Sequence, residues 1–328
     1  MAEPSERRIL LAGATGFVGR RLYPNLVARG YDVVCASRDP ERARSDYPDR
    51  SWVELDVERP ETIARALGDC DSAFYLIHQM LGGEGYDVRE RRAARHFRDV
   101  ASAKGLDRVV YLGGVAPSGE PSPHLKSRLE TGKMLRAGDV STIELRASMI
   151  IGNGSASWQI CRDLAARLPA MILPSWTQTR TQPIWIGDVN QGLLGALEHP
   201  TEMSKWYNIP GPEIMTIEEI LRRTARVMGN APPMFDVPLL SPRLSSYWLR
   251  FVTRADSDLA RELVEGLKSE LVVVNHIFWN EIDHEPLLDF DTAAARETAP
   301  PTRATARLVE RAIHALTRDR TPARRLGG

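Results

Sequence analysis

Gly13, Gly16 and Gly19 stand three residues apart in the stretch "LLAGATGFVGRRL", residues 10–22. An apolar run precedes them, and a helical pattern with Val18, Leu22 and Leu26 follows. That order predicts a strand, a tight turn and a helix. Gly13 turns the chain with a positive φ, Gly16 lets a phosphate reach the backbone, and Gly19 lets the helix lie close on the strand. The helix N-terminus then aims unpaired N–H groups at an anion, which is the chemistry of holding a dinucleotide pyrophosphate. The spacing G-x-x-G-x-x-G is one residue wider at its start than the commonest fingerprint, so the flanking strand and helix carry the assignment. Thr15, Phe17 and Val18 fall inside the same cradle.

The end of the second strand selects the dinucleotide. An acidic side chain there accepts from a ribose 2′-hydroxyl, whereas a guanidinium suits a 2′-phosphate. Here stand Ser37 and Arg38, with Arg42 one turn on, which favours NADP. Asp39 beside them keeps NAD open. Asp56 and Val57, ending the third strand, sit where an adenine edge is read; Asp56 equally suits the cap of a helix beginning near Pro60. Leu76, Ile77 and His78 after the fourth strand, and Gly113 after the fifth, complete the expected cofactor contacts.

A second candidate site lies in "HLKSRLETGKMLRAG", residues 124–138. Ser122 fits a helix N-cap and Pro123 its first residue. Leu125, Leu129, Gly132 and Leu135 form a core-facing stripe, and His124 and Arg128 lie one turn apart on a neighbouring face. The fixed cation lowers the imidazole pKa and favours neutral His124. Such a histidine still polarises a carbonyl by donating a hydrogen bond, while Arg128 binds ribose or phosphate oxygens. Two readings stand side by side: catalysis by His124 with Arg128, or cofactor binding and helix cover alone. Gln79, Met80, Trp158 and Tyr247 are the expected substrate-pocket residues, the last on the aromatic stretch "SPRLSSYWLRFVT" (241–253).

The elements that must position these residues follow a regular rhythm. Apolar runs at 7–13, 31–37, 51–57, 72–78, 108–114 and 141–147 alternate with helical patterns near 17–29, 60–67, 86–104 and 123–137. Runs apolar on both faces predict a parallel sheet covered on both sides, a Rossmann-like doubly wound α/β fold. Residues 1–152 form the expected dinucleotide-binding core. Residues 153–290 form a smaller mixed lobe, with a strand and helix returning to the core near 181–211. Residues 291–328 form a C-terminal helix, with Val309, Ile313 and Leu316 on one stripe, and a basic tail.

With 43 basic and 43 acidic side chains the net charge is zero, so nothing pulls the chain toward nucleic acid or anionic lipid. "MAEPSERR" lacks the apolar core of a signal peptide, and no apolar run reaches bilayer length. Cys35, Cys70 and Cys161 are scattered, as buried thiols of a reduced cytoplasm are. No histidine or cysteine spacing predicts a metal, and no G-x-S-x-G elbow predicts a hydrolase. The expected partner is a small molecule, the expected state a monomer or homodimer.

The pieces "AGATGFVG" (12–19), "ASRDPERA" (36–43), "LDV" (55–57), "YLGGV" (111–115), "LRASMIIG" (145–152) and "TQPIWIGDV" (181–189) resemble, in order, the short-chain dehydrogenase/reductase superfamily. The resemblance is greatest to its extended and atypical branch of epimerase-like and NmrA-like proteins, and it covers about the first two hundred residues. It implies an NAD(P)-dependent oxidoreductase acting on a small, apolar carbonyl, enone or quinone-like substrate. The family's Tyr-x-x-x-Lys pair falls at His124 and Arg128, and its catalytic serine near Gly113 and Gly114; all three positions depart from the pattern. The same departures suit a silent NAD(P)-binding sensor or assembly protein.

Overall fold

The computed structural model describes residues 7–78, 85–168, 170–236, 269–273, 275–284 and 287–298. Six strands form in the order the apolar runs predict: β1 (Arg8–Ala12), β2 (Asp32–Ser37), β3 (Ser51–Glu54), β4 (Ser72–Tyr75), β5 (Arg108–Gly114) and β6 (Ser141–Ala147). Between them run α1 (Phe17–Ala28), α2 (Pro40–Asp46), α3 (Pro60–Leu67), α4 (Tyr86–Lys104) and α5 (Pro123–Arg136). The helix α2 was not expected. Its signals are local: Asp39 accepts from the Arg42 amide at 3.0 Å as N-cap, and Pro40 opens the first turn.

The second half contributes β7 (Ile150–Ile151), α6 (Ala156–Arg167), β8 (Met171–Leu173), β9 (Arg180–Thr181), β10 (Ile184–Trp185), α7 (Ile186–Glu198), β11 (Lys205–Asn208), β12 (Met215–Thr216), α8 (Ile217–Val227), β13 (Met234–Asp236), α9 (Ile277–Glu281) and α10 (Phe290–Thr298). The strand expected at 181–186 divides at Gln182 and Pro183 into β9 and β10. The strand expected at 205–210 is β11, which pairs in parallel with β6 and so extends the main sheet, as the expected return to the core requires. The helix expected near 256–267, the aromatic stretch at 241–253 and the stripe of Val309, Ile313 and Leu316 lie outside the described residues.

All strands of the main sheet are parallel, in the order β11-β6-β5-β4-β1-β2-β3. The order reverses between β1 and β4, and a crevice opens beyond the carboxyl ends of strands at such a switch point. Successive residues of β1 point to opposite layers. Ile9 and Leu11 pack with α1 and α7, while Leu10 and Ala12 pack with α3 and α4. All four are fully buried, and burial of each of the larger three, Ile9, Leu10 and Leu11, contributes roughly 1.5–3 kcal/mol. A third apolar cluster joins α6, α8 and α10 through Trp158, Ile220 and Phe290. Residues 290–298, expected partly in a separate C-terminal segment, pack into this cluster through Phe290, Ala293 and Ala294.

Candidate functional site

β1 and β4 deliver Gly13 and Leu76 to the switch point, paired as neighbours up to Ala12 and Tyr75. Gly13 has φ +93, and a Cβ there would lie 2.6 Å from the Leu76 carbonyl oxygen. The Gly16 amide donates to the Gly13 carbonyl at 2.9 Å, closing the turn. At Gly19 a Cβ would fall on the Gly13 carbonyl, so α1 can sit this close to β1 only with glycine there. Gly16 is the N-cap of α1, no side chain caps the helix, and its first turn holds no acidic residue. The first amides of α1 are therefore available to an anion.

Gly13, Gly16, Phe17, Val18 and Gly19 line one end of a cleft of about 430 Å³. Leu76, His78, Leu112, Gly113, Gly114 and the first turns of α5 and α6 line the rest. The walls are mainly apolar, and Arg128 is the one permanent charge on the lining among the described residues. Gly154, at φ +107, makes room for the Phe17 ring, from which a Cβ would be only 3.0 Å away.

The N-terminus of α5 forms as expected. Ser122 accepts from the Leu125 amide at 3.4 Å, and Pro123 occupies the first turn. His124 and Arg128 both reach the cleft. His124 is 8% exposed, and its Nδ1 is buried with no hydrogen-bond partner among the described residues. Burial, and secondarily the Arg128 charge, push its pKa down to about 3, so the ring is neutral at physiological pH. The expected neutrality is therefore present, but desolvation is its main cause. Arg128 is held from two sides. Its Nη2 donates to the Leu112 carbonyl at 2.9 Å, and its own carbonyl accepts from the Tyr111 hydroxyl at 3.1 Å. Its Nε is buried without a partner.

His78 faces the same space. Its pKa is lowered well below the ordinary range by burial first, then by Arg128 and His124. Its Nδ1 is 3.9 Å from Oε1 of the buried Glu90, whose other oxygen accepts from the Ser127 hydroxyl. Gly113 and Gly114 stand where neighbouring side chains leave little room for a β-carbon. A Cβ on Gly114 would be 3.0 Å from Leu125, and one on Gly113 would be 2.9 Å from Glu144 Oε1. Glu144 is fully buried and ion-paired with Arg136 and Arg146, each at 2.8 Å. Arg146 is thus the carboxylate's partner.

Other expected residues fall elsewhere. Trp158 is fully buried against Phe290 and does not line the cleft, because that face of α6 turns into the third apolar cluster. Ile77 packs toward the α3–α4 layer and Val57 is buried in it. The Asp56 carboxylate is spent in its own turn, accepting from the Glu58 amide at 3.1 Å and Arg59 Nε at 3.2 Å. Thr15 and Arg38 are exposed, and Ser37 donates to the Asp39 carbonyl at 3.1 Å. Gln79, Met80 and Tyr247 lie outside the described residues. Sequence reading missed Ser148, Ser155, Cys161 and Thr181 on the lining. Only the Ser155 cap of α6, accepting from the Trp158 amide, carried a local signal. Burial pushes the Cys161 thiol up to about 12, which leaves it unreactive. No group of three His, Cys, Asp or Glu able to hold a metal occurs among the described residues, and no described helix is long and apolar enough to cross a membrane.

Residues 13–150 match the NAD(P)H-binding family. The chain is 27% identical over 273 residues to a 3-diazoavenalumate denitrifying reductase of a Streptomyces species, covering 74% of this chain and 88% of that one. Its fold matches the NADP(H)-complexed triphenylmethane reductase of a Citrobacter species, with TM-score 0.72 at 13% identity over 88% of this chain and 99% of that one. It also matches an NADPH-dependent quinone oxidoreductase of Escherichia coli, with TM-score 0.72 at 17% identity and the same coverage.

Proposed function

We propose that this chain is an atypical member of the short-chain dehydrogenase/reductase superfamily that uses NADPH to reduce a small, apolar carbonyl, enone or quinone-like substrate, a reading supported by the NAD(P)H-binding family match and the NADP(H)-complexed fold neighbour. One observation carries the reading. The glycine cradle and the first turn of α5 open into a single, mainly apolar cleft, with neutral His124 and cationic Arg128 on its lining.

The cradle fits a dinucleotide: uncapped amides at α1, backbone cleared by Gly13 and Gly19, no acidic side chain in the first turn. Bound there, a reduced nicotinamide supplies hydride. Arg38 and Arg42 stand at the β2 end for a 2′-phosphate, and the committed role of Asp39 as the cap of α2 leaves Arg38 as the reader of that ribose. Val57 remains a proposed adenine contact, whereas the Asp56 amide and carbonyl are both engaged by Thr62. Neutral His124 donates a hydrogen bond to the reacting oxygen and so polarises it. Arg128, rigidly held, faces the negative charge that develops. The quinone oxidoreductase and triphenylmethane reductase folds support this class of acceptor. Balanced charge and three buried thiols fit a cytoplasmic enzyme, monomeric or homodimeric.

The test is NADPH oxidation by the purified protein against a panel of carbonyls, enones and quinones. Turnover that falls about 100-fold in His124→Ala, with NADPH affinity kept within about threefold, is the expected result. Tight NADPH binding with no turnover across the panel favours a silent sensor or assembly protein, a reading that the missing hydroxyl at Gly113 and Gly114 supports.

A further inference from the structure

The cleft lining carries a hydroxyl that no described residue uses. Thr181, at the end of β9, is 2% exposed and lines the cleft, yet its Oγ1 has no hydrogen-bond partner among the described residues. A buried hydroxyl left unpaired is costly, and such atoms cluster where a ligand completes them. The His124 Nδ1 on the same lining is orphaned in the same way.

The segments that carry the two are tied together by a separate feature. Thr181 forms a parallel bridge with Leu271, and Leu271 packs in one apolar cluster with Leu125, Val115 and Val273. Leu125 follows His124 in the chain, so the strand carrying Thr181 is tied to the first turn of α5. Gln182 fixes the strand further. Its carbonyl accepts from the Ser148 hydroxyl, and its side-chain oxygen accepts from the Val273 amide. Thr181 is therefore a rigidly placed donor and acceptor, as a preorganised site requires.

We propose that Thr181 is a substrate-binding residue, its hydroxyl and the imidazole of His124 together clamping one neutral oxygen of a small, otherwise apolar substrate. The hydroxyl supplies on β9 the hydrogen bond that Gly113 and Gly114 cannot supply on β5. The inference rests on the proposed reading of the cleft as a substrate site, but not on turnover. An oxygen-bearing ligand needs only to bind.

The test pairs Thr181→Val, which removes the hydroxyl at nearly constant shape, with Thr181→Ser, which restores it. NADPH-loaded protein is titrated with benzamide, a carbonyl that hydride does not reduce, and turnover of menadione is measured alongside. The expected result is benzamide affinity about 10-fold weaker in Thr181→Val and within about twofold of the parent in Thr181→Ser, with NADPH affinity unchanged in both. If the parent turns menadione over, its KM rises by a similar factor in the valine variant alone. Thr181-dependent benzamide binding with no turnover of menadione or of any other acceptor in the panel leaves this proposal standing and removes the oxidoreductase reading. Three results overturn it: no benzamide binding to the NADPH-loaded parent, equal affinity in parent and Thr181→Val, or equal loss in the serine and valine variants.

Discussion

The two ends of the cleft are built on opposite physical principles. At the cradle, function depends on side chains being absent. Gly13 and Gly19 let backbone meet backbone where any Cβ would collide with the Leu76 or Gly13 carbonyl. At the first turn of α5, the proposed chemistry depends on particular side chains being desolvated. His124 is neutral because it is buried, and Arg128 is fixed by the Leu112 carbonyl and the Tyr111 hydroxyl. The first kind of site tolerates almost no substitution, since backbone cannot yield. The second admits different residue types in one frame, because a polar group of another shape can still face the same space. That contrast fits a chain whose glycine cradle resembles the superfamily's while His124, Arg128, Gly113 and Gly114 stand where the resemblance leads one to expect tyrosine, lysine and serine.

The contrast breaks first, and most severely, at the cradle. Gly13→Ala forces a β-carbon into a position with φ +93, 2.6 Å from the Leu76 carbonyl oxygen. The expected outcome is NADPH affinity lowered by more than about 100-fold, as two or more charge-assisted amide contacts are lost, with about 1–3 kcal/mol of strain. Fluorescence titration with NADPH and urea unfolding measure the two effects. Unchanged affinity would show that the dinucleotide lies elsewhere.

Cofactor choice is the next smaller effect, and it sits on the tolerant side of the comparison because Arg38 is exposed. Arg38→Glu exchanges a donor for 2′-phosphate against an acceptor for a ribose hydroxyl. The ratio of NADPH to NADH affinity should fall about 10–100-fold. An unmoved ratio assigns the 2′-position to Arg42 or to no cation at all.

Desolvation at α5 has a thermodynamic signature of its own. The folded pKa of His124 is lowered to about 3 against an ordinary 6.5. Above that ordinary value both states are neutral and the group contributes nothing to pH dependence. As pH falls below it, the unfolded chain takes up a proton that the folded chain refuses, so stability is lost between about pH 6.5 and pH 3. The slope is at most about 1.4 kcal/mol per pH unit from this one group. Unfolding midpoints of the parent and His124→Asn, compared at neutral and mildly acidic pH, should differ in slope in that direction. Equal slopes would mean that His124 is solvated and able to carry a proton.

What the sequence made legible follows the same division. Backbone-determined features were readable because their signals are local. The glycine spacing, the Ser122–Pro123 cap and the apolar runs of β1 to β6 all sit within a few residues of what they specify. Long-range features were not. Nothing near Thr181 announces that its hydroxyl reaches the cleft, because its place is set by pairing with Leu271, far along the chain. Nor does the text around Gly113 show that a buried Glu144 from the neighbouring strand excludes a side chain there. Arg146, too, takes its role only from the fold, where β6 sets it against that carboxylate.

Trp158 gives the smallest and sharpest test of that division. An aromatic on α6, whose first turn lines the cleft, was expected to shape the substrate pocket. The helix has two faces, however, and Ser157 and Cys161 line the cleft while Trp158 points into the cluster with Phe290. Its ring packs edge-on to Phe290 at 6.1 Å, and its Nε1 has no partner. Replacing it with phenylalanine removes apolar volume but also removes an unpaired buried donor, so the two effects oppose each other. Trp158→Phe should therefore shift stability by no more than about 1–2 kcal/mol, less than a typical large-to-small core change. NADPH affinity and the KM for an acceptor should stay within about twofold, since no cleft atom is altered. A selective rise in KM at unchanged stability would place the indole back in the pocket and make α6, not the strand bearing Thr181, the wall that selects the substrate.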